Sequence, residues 1–246
     1  MLQNIKILGV NIANEKTDRI LEYFFSSIKS PKAKMFIITP NPEMLVYACK
    51  HLDYQNRLNR STIALPDGVG LFFASGFMGE NLKERTTGVD FIEKICEKSH
   101  DFPLSIGFLG GKDKVAEQTA ERLIQKYPWI KVIFVAKEWS EKGFNWKKDG
   151  HKTKQIDILF VAFGVPKQEE WISKHLDSLP VKAAMGVGGA FDFLSGSIPR
   201  APFIIRFAGL EWLFRLIIEP WRWKRQLALI EFIYLVFKQT FSPNTK

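Results

Sequence analysis

Only two cysteines occur in the 246 residues, Cys49 and Cys96, and neither stands in a Cys-x-x-Cys or Cys/His ligand spacing. A disulfide framework and a structural zinc site are excluded, and both thiols are expected to be buried in a reducing compartment. No Asp-x-Asp pair is present, so the acidic clamp that holds a metal on a sugar nucleotide is missing and no metal is expected. None of His51, His100, His151 and His175 belongs to a His-Glu-x-x-His pair, and no Gly-x-Ser-x-Gly elbow exists. Zinc-protease and serine-hydrolase chemistry therefore have no footing. Nucleotide fingerprints are lacking as well. Gly110-Gly111-Lys112 runs into Asp113 instead of Ser or Thr, and Gly186, Gly188 and Gly189 run into Phe191 where a dinucleotide fold needs glycine. No uncharged apolar run approaches the ~20 residues of a spanning helix. The amino terminus has no long apolar core before a small-residue cleavage site, so the chain is expected to stay in the cytoplasm.

What is present is a 46% hydrophobic composition, enough for a substantial core. Up to about Gly196, short apolar runs alternate with amphipathic segments. The runs "KMFIIT", "STIAL", "PLSIGFL", "IKVIFVA", "IDILFVAFG" and "KAAMGVGG" read as strands. Between them, "PEMLVYACKHLDYQNRL" reads as a helix carrying Leu45, Ala48, Leu52 and Leu58 on one face, and Thr87 is placed to cap the helix of "TTGVDFIEKICEKS". The alternation predicts an α/β fold with a largely parallel sheet flanked by helices.

Ligands of such sheets bind beyond the carboxyl ends of the strands. The loops at those ends are "TPNPE", "LPDGVG", "GFLGGKD", "AFGVPKQE" and "GVGGAFDFLSG", and together they predict one shared cleft. Their chemically able residues are Thr39, Asn41, Asp67, Gln168 and Asp192, with Arg85 nearby. Pro66-Asp67-Gly68 is ordinary turn chemistry, yet Asp67 is also the natural base. Gly110, Gly164, Gly186, Gly188 and Gly189 would let backbone N–H groups approach a diphosphate. This inventory fits displacement at a sugar carbon, one carboxylate taking a proton while cations hold a departing diphosphate. Two carboxylates also fit glycoside hydrolysis, which leaves the carboxyl end unexplained.

That end is distinctive. The net charge is +9, and from Arg200 onward eight basic residues face three acidic ones. Trp212, Trp221 and Trp223 stand beside Arg222, Lys224 and Arg225, the composition of an interfacial anchor for an anionic membrane. Packing of these aromatics onto the body is the alternative. No nucleic-acid module accompanies the charge, so no nucleic-acid partner is expected. The chain divides into an α/β catalytic domain over 1–198 and a basic amphipathic appendage over 199–246.

Taken together, "TPNPEML", "LPDGVG", "ERTTGVDF", "GFLGG", "FVAFGVPKQEEWI", "AMGVGGAFDFLSGSIPRAP" and "GLEWLFRLIIEPWRWKRQ" resemble the WecG/TagA/CpsF family of bacterial glycosyltransferases. The resemblance implies a Rossmann-like body with a helical, membrane-binding carboxyl appendage, the GT-E type. It implies inverting, metal-independent transfer of a sugar, foremost N-acetylmannosamine, from a UDP-sugar to an undecaprenyl-diphosphate-linked acceptor. The setting would be teichoic acid or surface polysaccharide synthesis at the inner face of the cell membrane, with a homo-oligomer in solution and no cofactor. UDP-N-acetylmannosaminuronic acid and UDP-glucose-type donors stay open. By the same resemblance Asp67 is the general base, Thr39 and Asn41 position substrate, and Arg85 and Gln168 are polar groups of the active site. Asp192 and the glycines before it would bind nucleotide, and Arg215, Arg222 and Arg225 would meet a diphosphate. The short basic segment 144–155 departs from the family's longer acidic one. A reading from another class is a non-catalytic nucleotide-sugar or lipid-binding protein, which would not need Asp67.

Overall fold

The computed structural model describes residues 2–139 and 155–241; most of the basic segment 144–155 lies outside them. The chain opens with a hairpin of β1 (Asn4–Ile7) and β2 (Val10–Ala13), closed by Leu8 and Gly9 at φ +46° and +80°. Two consecutive positive φ angles match the right-handed twist of the strands. Helix α1 (Thr17–Ile28) then leads into a six-stranded sheet.

The sheet contains β3 (Met35–Ile38), β4 (Ile63–Ala64), β5 (Ser105–Gly110), β6 (Lys131–Ala136), β7 (Ile156–Ala162) and β8 (Val181–Gly186), in the order β4-β3-β8-β7-β5-β6. Every pairing is parallel. Near-continuous apolar strands follow from this arrangement, because crossover helices cover both faces. Met35, Ile37, Phe108, Ile158 and Phe160 enter the core shared with α1, α5 (Gly88–Lys98), α6 (Val115–Lys126) and α8 (Ala190–Leu194). Phe36, Ile38, Leu159, Val161 and Ala184 enter the opposite core with α2 (Pro42–Lys50), α3 (Leu52–Leu58) and α7 (Lys167–His175).

Two sequence expectations are corrected. The segment 42–58 is two helices, broken where His51 adopts φ −133° and ψ 91°. That extended residue resets the helical phase, so Leu45, Ala48 and Leu58 are buried while Leu52 is 68% exposed. Cys96 is buried as expected, but Cys49 is exposed near the end of α2. The Thr87 cap is present: its hydroxyl accepts from the Asp90 N–H at 3.2 Å and donates to the Asp90 carboxylate at 2.6 Å.

Beyond the sheet, α4 (Val69–Phe77) follows the β4 loop, and the carboxyl end forms α9 (Phe203–Phe207), α10 (Glu211–Ile218), a tight turn at Pro220–Arg222 and α11 (Trp223–Phe241). Helix α11 lies against α2 and α4, burying Phe232 and Val236 and setting the Phe237 ring 4.9 Å from that of Phe77. Among the described residues no helix is long and apolar enough to cross a membrane.

Strand ends reach the cleft through glycine. At Gly110, φ is +94°, and an added Cβ would sit 2.8 Å from the Phe163 ring and 3.0 Å from the Ala162 carbonyl oxygen. Gly110→Ala should therefore cost about 2 kcal/mol, a fall of about 6 °C in Tm for a chain of this length, read by thermal denaturation.

Candidate active site

All six strands end on one edge, and the loops that leave them line a single cavity of about 1040 Å³. Thr39, Asn41, Asp67, Arg85, Gly110, Gly164, Gln168, Gly188, Gly189 and Asp192 are on its wall. Gly186 is just beneath it, against Gln168. The appendage closes the opposite side with Glu211, Trp212, Arg215, Glu219, Trp221, Arg222 and Arg225. The cavity thus brings together most of the residues that the sequence singles out, from a span of nearly 190 positions, while Gly186 lies beneath it and Trp223 and Lys224 are not on its wall.

Asp67 is half-buried in the loop between β4 and α4. Its own N–H donates to the Pro40 carbonyl at 3.0 Å, and Thr86 N–H donates to the Pro66 carbonyl at 3.0 Å, so the loop is pinned from both sides. Burial pushes the Asp67 carboxyl up to about 7. The Glu211 and Asp90 carboxylates push the same way, while Arg85 and the Gly88 N–H at the start of α5 offset part of the rise. A carboxyl poised near neutrality is suited to general-base work.

The other polar residues of the floor are partly committed. The Thr39 hydroxyl donates to the Gly186 carbonyl at 3.4 Å, and Asn41 caps α2 by accepting from the Met44 N–H at 3.0 Å. These bonds orient the loop after β3, with Pro42 at the first helical position. Arg85 donates to the carbonyl of Arg206 in the appendage. Gln168 is 1% exposed; its carbonyl accepts from the Gly188 N–H at 2.9 Å and its amide donates to Glu169 at 2.6 Å.

Across the cleft the arginines are crowded. Arg215 pairs with Asp192 at 2.7 Å and with Glu219 at 2.6 Å, and its guanidinium lies 4.7 Å from the centre of the Phe193 ring. Arg222 shares Glu219 at 3.5 Å, and Arg225 holds Glu43 through its Nε, 2.9 and 3.0 Å from the two carboxylate oxygens, and through Nη2. Burial, then repulsion from Arg215 and Arg225, lowers Arg222 to about 10. The mutual repulsion of the three arginines is a cost that a bound anion would relieve. Asp192 is therefore an arginine partner in this geometry, and Glu43, Glu211 and Glu219 are acids that motif reading passed over. No group of three or more metal-ligating side chains is found among the described residues.

A carboxyl raised toward neutrality on one wall and an arginine cluster on the other are groups of the kind a transferase site uses. The sequence profile of the Glycosyl transferase WecG/TagA/CpsF family matches residues 5–246. The chain belongs to that family and is a glycosyltransferase. It is 29% identical over 99% of its length, and 95% of the relative's, to the N-acetylglucosaminyldiphosphoundecaprenol N-acetyl-beta-D-mannosaminyltransferase of Bacillus subtilis strain 168. To proteins of the same name it is 34% identical in Bacillus spizizenii, covering 82% of this chain and 79% of the relative, and 31% identical in Staphylococcus aureus MRSA252, covering 95% and 92%.

Because the Asp67 carboxyl titrates higher in the folded chain than in the unfolded one, its stabilising effect is full below about pH 4 and is lost as pH rises through about 7. A permanently neutral side chain escapes that loss. Asp67→Asn should raise Tm by a few degrees at pH 8 and leave it unchanged at pH 4, measured by differential scanning calorimetry.

Proposed function

We propose that the chain transfers N-acetylmannosamine from UDP-N-acetylmannosamine to an undecaprenyl-diphosphate-linked N-acetylglucosamine, in synthesis of a teichoic acid linkage unit or a related surface polymer. Asp67 takes the proton of the acceptor hydroxyl as that oxygen attacks the anomeric carbon. The bond from this carbon to the donor's phosphate breaks, and its electron pair leaves with UDP. Attack opposite the leaving group inverts the anomeric centre, in keeping with the beta-mannosaminyl product in the relatives' names. Arg215, Arg222 and Arg225 offset the charge that builds on the departing diphosphate, a task that other enzymes give to a metal ion. No cofactor enters this scheme. The carrying observation is the half-buried Asp67, raised to about 7, in one cavity with the three arginines.

The appendage supplies the reading of location. Phe203, Phe207 and Trp221 are 70, 82 and 70% exposed, and Ile217, Ile230 and Tyr234 add further apolar surface beside Lys224. A surface of this size needs a cover. Its aromatic and cationic composition favours the inner leaflet of the cell membrane, where a lipid-linked acceptor resides. A second copy of the chain is the competing cover.

The test is UDP release from UDP-N-acetylmannosamine and undecaprenyl-diphospho-N-acetylglucosamine, with and without EDTA. Release is expected in both, with kcat/KM falling as pH drops below about 7 because protonated Asp67 cannot accept a proton. Asp67→Asn should cut turnover about 10³-fold while UDP binding is retained. Undiminished turnover in that variant would remove Asp67 as the base, and loss of activity with EDTA would remove the metal-free scheme. Removing residues 199–246 should abolish both flotation with anionic vesicles and transfer. A chain that self-associates without floating would assign the apolar surface to the second copy.

A further inference from the structure

One buried acid has no part in the transfer chemistry. Glu169, third residue of α7, is fully buried, and it accepts from the Gln168 amide at 2.6 Å and from the buried Tyr54 hydroxyl at 3.1 Å. A carboxylate costs far more to bury than the apolar side chain that would fill the same space. What it accomplishes is visible in the neighbouring amide. Gln168 turns its carbonyl to the Gly188 N–H and its NH₂ to Glu169. Rotating that amide by half a turn would set oxygen against carboxylate and NH₂ against N–H, two repulsive contacts in place of two bonds. Glu169 therefore dictates the orientation.

The Gly186–Gly189 turn rests on this pair. A Cβ added at Gly186 would come 3.0 Å from the Gln168 amide nitrogen and 3.1 Å from a Glu169 oxygen. Gly188 has φ +51°, and a Cβ added at Gly189 would fall 2.6 Å from the Arg215 guanidinium. The turn is thus held between the Gln168–Glu169 pair on one side and Arg215 on the other. We propose that Glu169 is a positioning residue for the nucleoside-diphosphate subsite: by orienting Gln168 it holds the glycine turn in the shape against which Arg215 meets the diphosphate. This rests on the reading that the cleft takes a UDP-sugar.

The groups facing Glu169 are Tyr54 and Arg57 from α3 and Gln168 on its own helix. Burial pushes the carboxyl up to about 7, against the lowering effect of the bonds from Gln168, its own N–H and Tyr54. Once protonated, it can donate to the amide oxygen and no longer enforces one orientation. Glu169→Gln carries the donor and acceptor of the protonated acid and has no proton to gain, so it holds that state at every pH.

The test is calorimetric binding of UDP to the full chain at pH 8 and pH 6, for wild type, Glu169→Gln and Glu169→Leu. Glu169→Leu should bind about tenfold more weakly at pH 8, the effect of leaving buried donors without an acceptor. Glu169→Gln should bind more weakly than wild type at pH 8 and lose less affinity than wild type on going to pH 6, since UDP's own ionisation is common to both. Wild-type affinity in Glu169→Leu, or a Glu169→Gln chain that tracks wild type at both pH values, overturns the proposal. If the leucine variant does not fold, the glutamine comparison decides alone. A wild-type chain that binds no UDP at either pH overturns the donor reading itself.

Discussion

Parallel pairing throughout the sheet is the constraint from which the site follows. Six strands running one way place six carboxyl-terminal loops on one edge, and any chemistry those loops carry must meet there. The central strands are buried on both faces, so they cannot slip in register without moving an apolar set out of one core. The loops consequently sit on a rigid base, and small polar residues can be held within hydrogen-bonding distance of one another across the sheet.

On that edge, charges are arranged by opposition. Asp67 is kept near neutrality by burial and by two neighbouring acids, with Arg85 and a helix start limiting the rise. The appendage wall concentrates three guanidinium groups, which share Asp192, Glu219 and Glu43. Burial works against the charged forms of both Asp67 and Arg222. This is the usual cost of an active site, where groups are set for an incoming ligand and the surrounding fold supplies the stability.

The appendage is tied to the body at several points near Asp67. Arg200 bridges Asp90 on α5 to Glu211 on α10 at 2.6 and 3.4 Å, and Arg85 reaches the Arg206 carbonyl. Gly209 lies so close to Val69, beside the Asp67 loop, that an added Cβ would come within 2.9 Å of its side chain. Seating of the appendage and shape of the Asp67 loop are therefore mechanically linked, and Glu211 adds an electrostatic link to the same carboxyl. The appendage thus both carries exposed apolar surface and completes the cleft.

By itself the sequence determined the α/β class, the strand-end loops, the Thr87 cap and Asp67 as the acid to watch, because periodicity and turn chemistry are local. Helix breaking at His51 escaped notice, since nothing in "ACKHLDY" is a strong breaker and the extended residue is imposed by packing. Glu169 could have been found: with Ile172 and Leu176 it continues the buried face of α7, a charge on an apolar stripe. Its purpose could not, because that depends on Gly188, which the chain brings to Gln168 only through the β7–β8 pairing. The same holds for Glu43 with Arg225 and for Asp192 with Arg215, partners set by where α11 and α10 come to rest. Tertiary structure alone decided which charges oppose one another, for electrostatics acts through distance in space and not along the chain.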